Sequence, residues 1–201
     1  MQTYTIFPNP PLIPVGVVSE KFLSLGFSTF HDSCKYIHKL PYGYNSSRDD
    51  VLIVFKEGYG SCTTKHGVIA TLAEELGIPV YKMIGIYAMT EELVIGTKRI
   101  LEKYRLPYLP MIHCFLCYAS QYVDLTLGNS TGKNNPIHEF LFAERVTPLI
   151  SEKEEYLLYK RVLENQILKR KEMAGVTIMD VLHARAEGIS LLHSKMNTRV
   201  I

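Results

Sequence analysis

The sequence predicts an α+β fold. Three observations carry that expectation. Helix-like periodicity opens and closes the chain, short strand-like apolar runs fill its middle, and the two do not alternate as a doubly wound sheet requires. The 201 residues are 47% apolar and 21% charged, a globular balance with length enough for a self-supporting core. The expected organisation is a core over 1–150 and a helical appendage over 151–201 packed back on it.

Taken in order, the opening MQTYTIFPNPPLIPVGVV is cut by Pro8, Pro10, Pro11 and Pro14. It reads as an extended arm, without the basic start of a signal peptide or the length of a membrane span. Ser19 is placed to cap a helix carrying Phe22, Leu23 and Leu25, and a second helix covers Ser28 to Lys39 before Pro41. Residues 42–50 form a loop, and Val51–Phe55 fits either a buried strand or a helical turn. Gly58-Tyr-Gly-Ser-Cys62 then leads into a helix with Val68, Ile69, Leu72 and Leu76 on one stripe, stopped by Gly77 and Pro79. Val80–Met89 predicts a strand, 90–104 a helix, and Met111–Cys117 with Tyr122–Leu127 a hairpin before a polar loop at 128–135. The stretches 151–173 and 177–196 are charged helices.

Charge narrows the function classes. Lys and Arg number 22 against 20 Asp and Glu, a net charge of +2, too balanced for a nucleic-acid or anionic-membrane partner. Four cysteines are too few for a disulfide scaffold. A soluble cytoplasmic protein is the expectation.

Cys62 is the residue most suited to chemistry. At a helix start its sulfur faces unpaired amides and the positive end of the helix dipole, which favour thiolate, the nucleophilic form. The competing reading is a small buried residue in a tight turn. A hairpin loop centred on Tyr118-Ala119 would pair 115 with 122 and 117 with 120, and set His113 opposite Asp124, within reach of an imidazole–carboxylate hydrogen bond. On that face Phe115, Cys117, Tyr122 and Thr126 should follow. Cys114, Leu116, Val123 and Leu125 should point into the core.

Gly60-Ser61-Cys62, Leu72-Ala-Glu-Glu-Leu-Gly-Ile-Pro-Val80, Met83-Ile-Gly-Ile86, His113-Cys-Phe-Leu116 and Tyr122-Val-Asp-Leu-Thr126 come in an order that resembles the transglutaminase-like superfamily of papain-like thiol enzymes. The resemblance covers roughly residues 20–127. It implies that residues 1–150 are a catalytic core, with the Cys62 helix on an antiparallel sheet carrying His113 and Asp124. It also implies Cys62 as nucleophile, His113 as base and Asp124 as orienter, acting on a peptide or other amide-containing substrate. The Cys62 amide is the natural oxyanion donor, with Tyr42, Tyr44 and Tyr59 as side-chain candidates. The chain departs from the family in having no Trp, with Phe115 and Tyr122 at aromatic positions and Leu125 where Pro is usual.

Other constellations carry less. Cys62 with His66, and Cys34 with His31 and His38, have helical spacing for a metal, but neither closes a zinc site, so no metal and no cofactor are expected. Cys114 and Cys117 have the spacing of a redox pair but fall on opposite faces of a strand. The C-terminal helices could also form a homo-oligomer contact. The alternative to an enzyme is a binding or scaffold module on the same fold, without turnover.

Overall fold

The structure is a computed structural model that describes residues 3–197. Its elements are α1 (Val17–Ser24), α2 (Phe30–Lys39), α3 (Ile53–Glu57), α4 (Cys62–Glu75), β1 (Tyr81–Met89), α5 (Thr97–Tyr104), β2 (Leu109–Tyr118), β3 (Gln121–Val123), β4 (Phe142–Arg145), α6 (Glu152–Val162) and α7 (Ile178–Asn197). The class is α+β, as the sequence predicts, with one four-stranded antiparallel sheet in the order β3-β2-β1-β4. Among the described residues no helix is long and apolar enough to cross a membrane.

Local chemistry sets the helix ends. Gly16, not Ser19, is the cap of α1. Ser19 lies one turn inside, where its hydroxyl accepts from the Gly16 amide at 2.9 Å. The Glu75 carboxylate accepts from the amides of Val18 and Ser19 at 2.9 and 2.7 Å, placing negative charge at the helix start where the dipole favours it. Thr29 caps α2 by accepting from the Asp32 amide. The 51–55 ambiguity resolves as helix, and Gly58, at φ 72°, closes α3. At the end of α4, Ile78 donates to Ala73 O at 2.8 Å and Gly77 to Glu74 O at 3.2 Å, the paired bonds of a Schellman stop.

The hairpin turn differs from the expectation. β2 and β3 pair Leu116 with Val123, Cys117 with Tyr122 and Tyr118 with Gln121, so the loop is Ala119-Ser120 rather than one centred on Tyr118-Ala119. Moving the turn by one residue moves every partner by two, which keeps each side chain on its expected face. Both loop residues have positive φ, 46° and 62°, the backbone twist a two-residue hairpin needs but one that neither side chain favours. Ala119-Ser120→Asn-Gly should therefore stabilise the protein by about 1 kcal/mol, read as a raised denaturation midpoint. β3 is also shorter than the Tyr122–Leu127 run suggests, ending at Val123.

Backbone contacts divide the chain into two compact units that do not part at residue 150. The first holds 1–84, 114–129 and 144–151, and the second holds 85–113, 130–143 and 152–201. The C-terminal helices thus share a unit with residues that lie well inside the expected core.

In the first unit the stripe of α4 (Val68, Ile69, Leu72) joins Phe22, Phe30 and Ile37 in one core with Leu116, Val123 and Leu125. Phe22 is fully buried, its ring centroid 5.0 Å from that of Phe55 and 6.0 Å from that of Phe27. In the second unit Glu187 of α7 accepts from the Tyr104 hydroxyl of α5 at 2.7 Å, and also pairs with Lys103. The same helix comes so close to β1 and β2 at Gly188 that a Cβ there would lie 2.6 Å from Leu109 and 3.2 Å from Met89. The buried Tyr159 hydroxyl of α6 donates to Pro110 O at 2.8 Å. The 151–173 stretch is not one helix: α6 ends at Val162 and passes through a wide turn at Leu163–Ile167.

Candidate active site around Cys62

Cys62 is the first residue of α4, as the small residues before it imply. The approach is tight. A Cβ on Gly60 would lie 2.8 Å from Lys65 Cγ and 2.9 Å from Val54 Cγ1, so only glycine brings the chain in this way. Gly60 donates to Pro41 O and accepts from the Gly43 amide, a short parallel bridge that lays Tyr42 alongside the helix start. Asn45 of the same loop accepts from Thr64 at 2.6 Å.

That bridge selects among the three tyrosines. The Tyr42 hydroxyl lies beside Cys62, close to both its thiol and its backbone. Burial first, and then the neighbouring Cys62 and Tyr44, push its phenol well above the usual range, so it stays a proton donor. Tyr59 is committed elsewhere: its hydroxyl bonds Glu57, which also accepts from Asn45 at 2.8 Å and from Ser46. Tyr44 is exposed and packs edge-on against Tyr42 at 6.1 Å.

Asp124 lies just past β3, and its Oδ1 accepts from the Thr126 amide and hydroxyl at 2.8 and 2.7 Å. The β2–β3 ladder ends at the Leu116–Val123 pair, so Asp124 lies past it and the ladder does not set it opposite His113. His113 is on β2, on the strand face of Phe115, and is buried. Cys114, Leu116 and Val123 are buried on the other face, as expected, and Leu125, in the turn past β3, is buried as well. Thr63 Oγ1 is 3.5 Å from Cys114 Sγ, so the first turn of α4 meets the Cys114 side of β2, not the His113 side that the sequence predicts. The apolar stripe of the helix follows the apolar face of the strands.

Two residues of α4 matter more than the sequence reading allowed. His66, which its spacing from Cys62 presents only as a metal-ligand candidate, is fully buried; its Nδ1 is 2.7 Å from Cys62 O and its Nε2 is 2.8 Å from the Leu125 amide. An amide can only donate, so Nε2 is the acceptor and Nδ1 carries the proton. The 3.4 Å between Nε2 and Asp124 Oδ1 is then proximity of two acceptors, not a hydrogen bond. Lys65, also fully buried, donates to Leu40 O at 2.6 Å, to His38 O at 3.3 Å and to Asn129 Oδ1. The signal for both was their place one turn after the candidate nucleophile.

Burial pulls the Lys65 ammonium down to about 8, with the Asp124 charge opposing. Between that value and the ordinary 10.5 the unfolded chain holds the extra proton, so this group makes stability rise with pH across the window; below pH 8 its cost is fully present. Lys65→Met removes that slope. The stability difference between wild type and variant should move in favour of wild type by about 3 kcal/mol from below pH 8 to above pH 10.5, measured by urea denaturation at each pH.

Cys62 is buried, as are Cys34 and Cys114, and Cys117 is half-buried. Burial pushes Cys34 and Cys117 above the usual thiol range, and Cys114 is fully buried. Among the described residues no three His, Cys, Asp or Glu side chains converge as a metal site would require. No family model, curated protein or solved structure matches the chain.

Proposed function

We propose that the protein is a thiol-dependent acyl-transfer or amide-hydrolysing enzyme of transglutaminase-like type, with Cys62 as nucleophile; His113 as base and Asp124 as the residue that orients it are what the resemblance implies, and they require the His113 ring to reach the thiol from the strand face opposite the one α4 meets. The observation that carries this reading is the place of Cys62 at the first position of α4, reached through Gly60, with the Tyr42 hydroxyl beside it. In this reading that hydroxyl lies where the carbonyl oxygen of a bound substrate would need donors. The proposed location is the cytoplasm, and the proposed substrate a peptide or other amide.

In this reading His113 takes the thiol proton and the thiolate attacks the carbonyl carbon. The Cys62 amide and the Tyr42 hydroxyl hold the resulting oxyanion. Collapse breaks the C–N bond, His113 returns its proton to the leaving amine, and a thioester remains on Cys62. Water or a second amine then releases the acyl group and frees the thiol. His66 is not the base, because both ring nitrogens are already engaged.

The test is a panel of amide and thioester acyl donors, with mass spectrometry of the acid-quenched enzyme. An acyl adduct on the peptide containing Cys62, lost in Cys62→Ala, is the expected result. Turnover that survives Cys62→Ala, or no adduct from any donor, would favour the scaffold reading.

A further inference from the structure

We propose that His66 is a positioning residue: its imidazole joins the carbonyl of Cys62 to the amide of Leu125 and so fixes Asp124 relative to the thiol. This rests on the reading of Cys62, His113 and Asp124 given above.

The argument begins where β3 stops. Val123 is its last residue, so Leu125 has no partner strand for its backbone groups. Two histidines take that place. Leu125 N–H donates to His66 Nε2 at 2.8 Å, and Leu125 C=O lies 3.0 Å from His38 Nδ1. Leu125 is buried, and a buried amide left without an acceptor is costly, so the clamp holds one geometry. Asp124 sits between the last ladder pair and this clamp, with Oδ1 held by Thr126. The chain therefore has little freedom to move the Asp124 carboxylate. At its other end the His66 ring bonds Cys62 O at 2.7 Å, on the residue that carries the thiol. A single rigid ring thus spans the two segments.

Two substitutions separate the ends of this strut. The amide of asparagine reaches where Nδ1 lies, and that of glutamine where Nε2 lies. His66→Asn keeps a donor for Cys62 O but leaves Leu125 N–H without an acceptor, whereas His66→Gln keeps that acceptor. Alkylation of Cys62 by iodoacetamide in the full chain is the readout. His66→Asn should slow it about tenfold, and His66→Gln should hold it within about threefold of wild type. His66→Asn combined with Asp124→Asn should be no slower than Asp124→Asn alone, because both act through the same carboxylate. Equal slowing by Asn and Gln, or additive effects in the double variant, would overturn the inference. Should neither variant fold, long-range proton–nitrogen NMR of the wild type decides: the His66 proton belongs on Nδ1, and a proton on Nε2 refutes the strut. If Asp124→Asn alkylates at the wild-type rate, the triad reading fails and this inference falls with it. If Asp124→Asn slows alkylation and His66→Asn does not, only the inference about His66 fails.

Discussion

Tyr42→Phe should lower turnover of an amide substrate by roughly 100-fold while leaving alkylation of Cys62 by iodoacetamide within a few-fold of wild type. The two reactions differ in what they ask of the site. Amide cleavage passes through an oxyanion, which in the proposed mechanism the Tyr42 hydroxyl beside Cys62 helps to hold. Alkylation displaces iodide at a saturated carbon and builds no oxyanion. A variant that merely loosened the loop at 42–48 would slow both together. Parallel loss in the two assays would therefore remove Tyr42 from the reaction and leave it a packing residue. Steady-state rates beside alkylation rates, on the same preparation, make the comparison.

Phe22→Ala should cost about 3–5 kcal/mol of folding stability, enough to lower the melting temperature by roughly 10 °C. Phe22 is fully buried, and its ring meets those of Phe27, Tyr36 and Phe55 at centroid distances of 6.0, 6.3 and 5.0 Å. Phe22 lies on α1, and its three neighbours come from α2, α3 and the connection between α1 and α2, so removing the ring leaves a cavity at their junction. Neighbours fixed on separate helices cannot all close in on it. Leu25→Ala, at the 43%-exposed end of the same helix, should stay within about 0.5 kcal/mol of wild type. A drop in the urea midpoint for Phe22→Ala as small as that for Leu25→Ala would show that this aromatic cluster is not the centre of the first unit.

Much of this was readable in the sequence where a short-range rule governs. The start of α4 follows from Gly60-Ser61-Cys62 and its end from Gly77, because caps and stops depend on a few adjacent residues. The inward face of β2 and β3 follows from strand alternation, which survived the wrong turn centre because a one-residue shift of the loop moves partners in steps of two. The turn itself was not readable, since Ala119-Ser120 carries none of the Gly or Asn that marks a two-residue hairpin. β4 went unread because a four-residue strand has little period to detect. The roles of His66 and Lys65 were hidden for a different reason. Their partners at Leu125, Leu40 and Asn129 are backbone or amide groups far away in sequence, and nothing local announces such a contact. The interleaving of 85–113 and 130–143 with the C-terminal helices is likewise long-range.

The account's central claim is that Cys62 is a nucleophile, and mapped alkylation tests it most directly. The full chain is treated with limiting iodoacetamide near neutral pH, digested, and each of Cys34, Cys62, Cys114 and Cys117 is quantified over time. Cys62 should label first, at least about tenfold faster than the others, because it alone begins a helix while burial disfavours the thiolate of Cys34 and Cys117. Labelling of Cys62 no faster than that of Cys117, or scattered evenly over the four, would contradict the claim and leave a binding or scaffold module as the better reading.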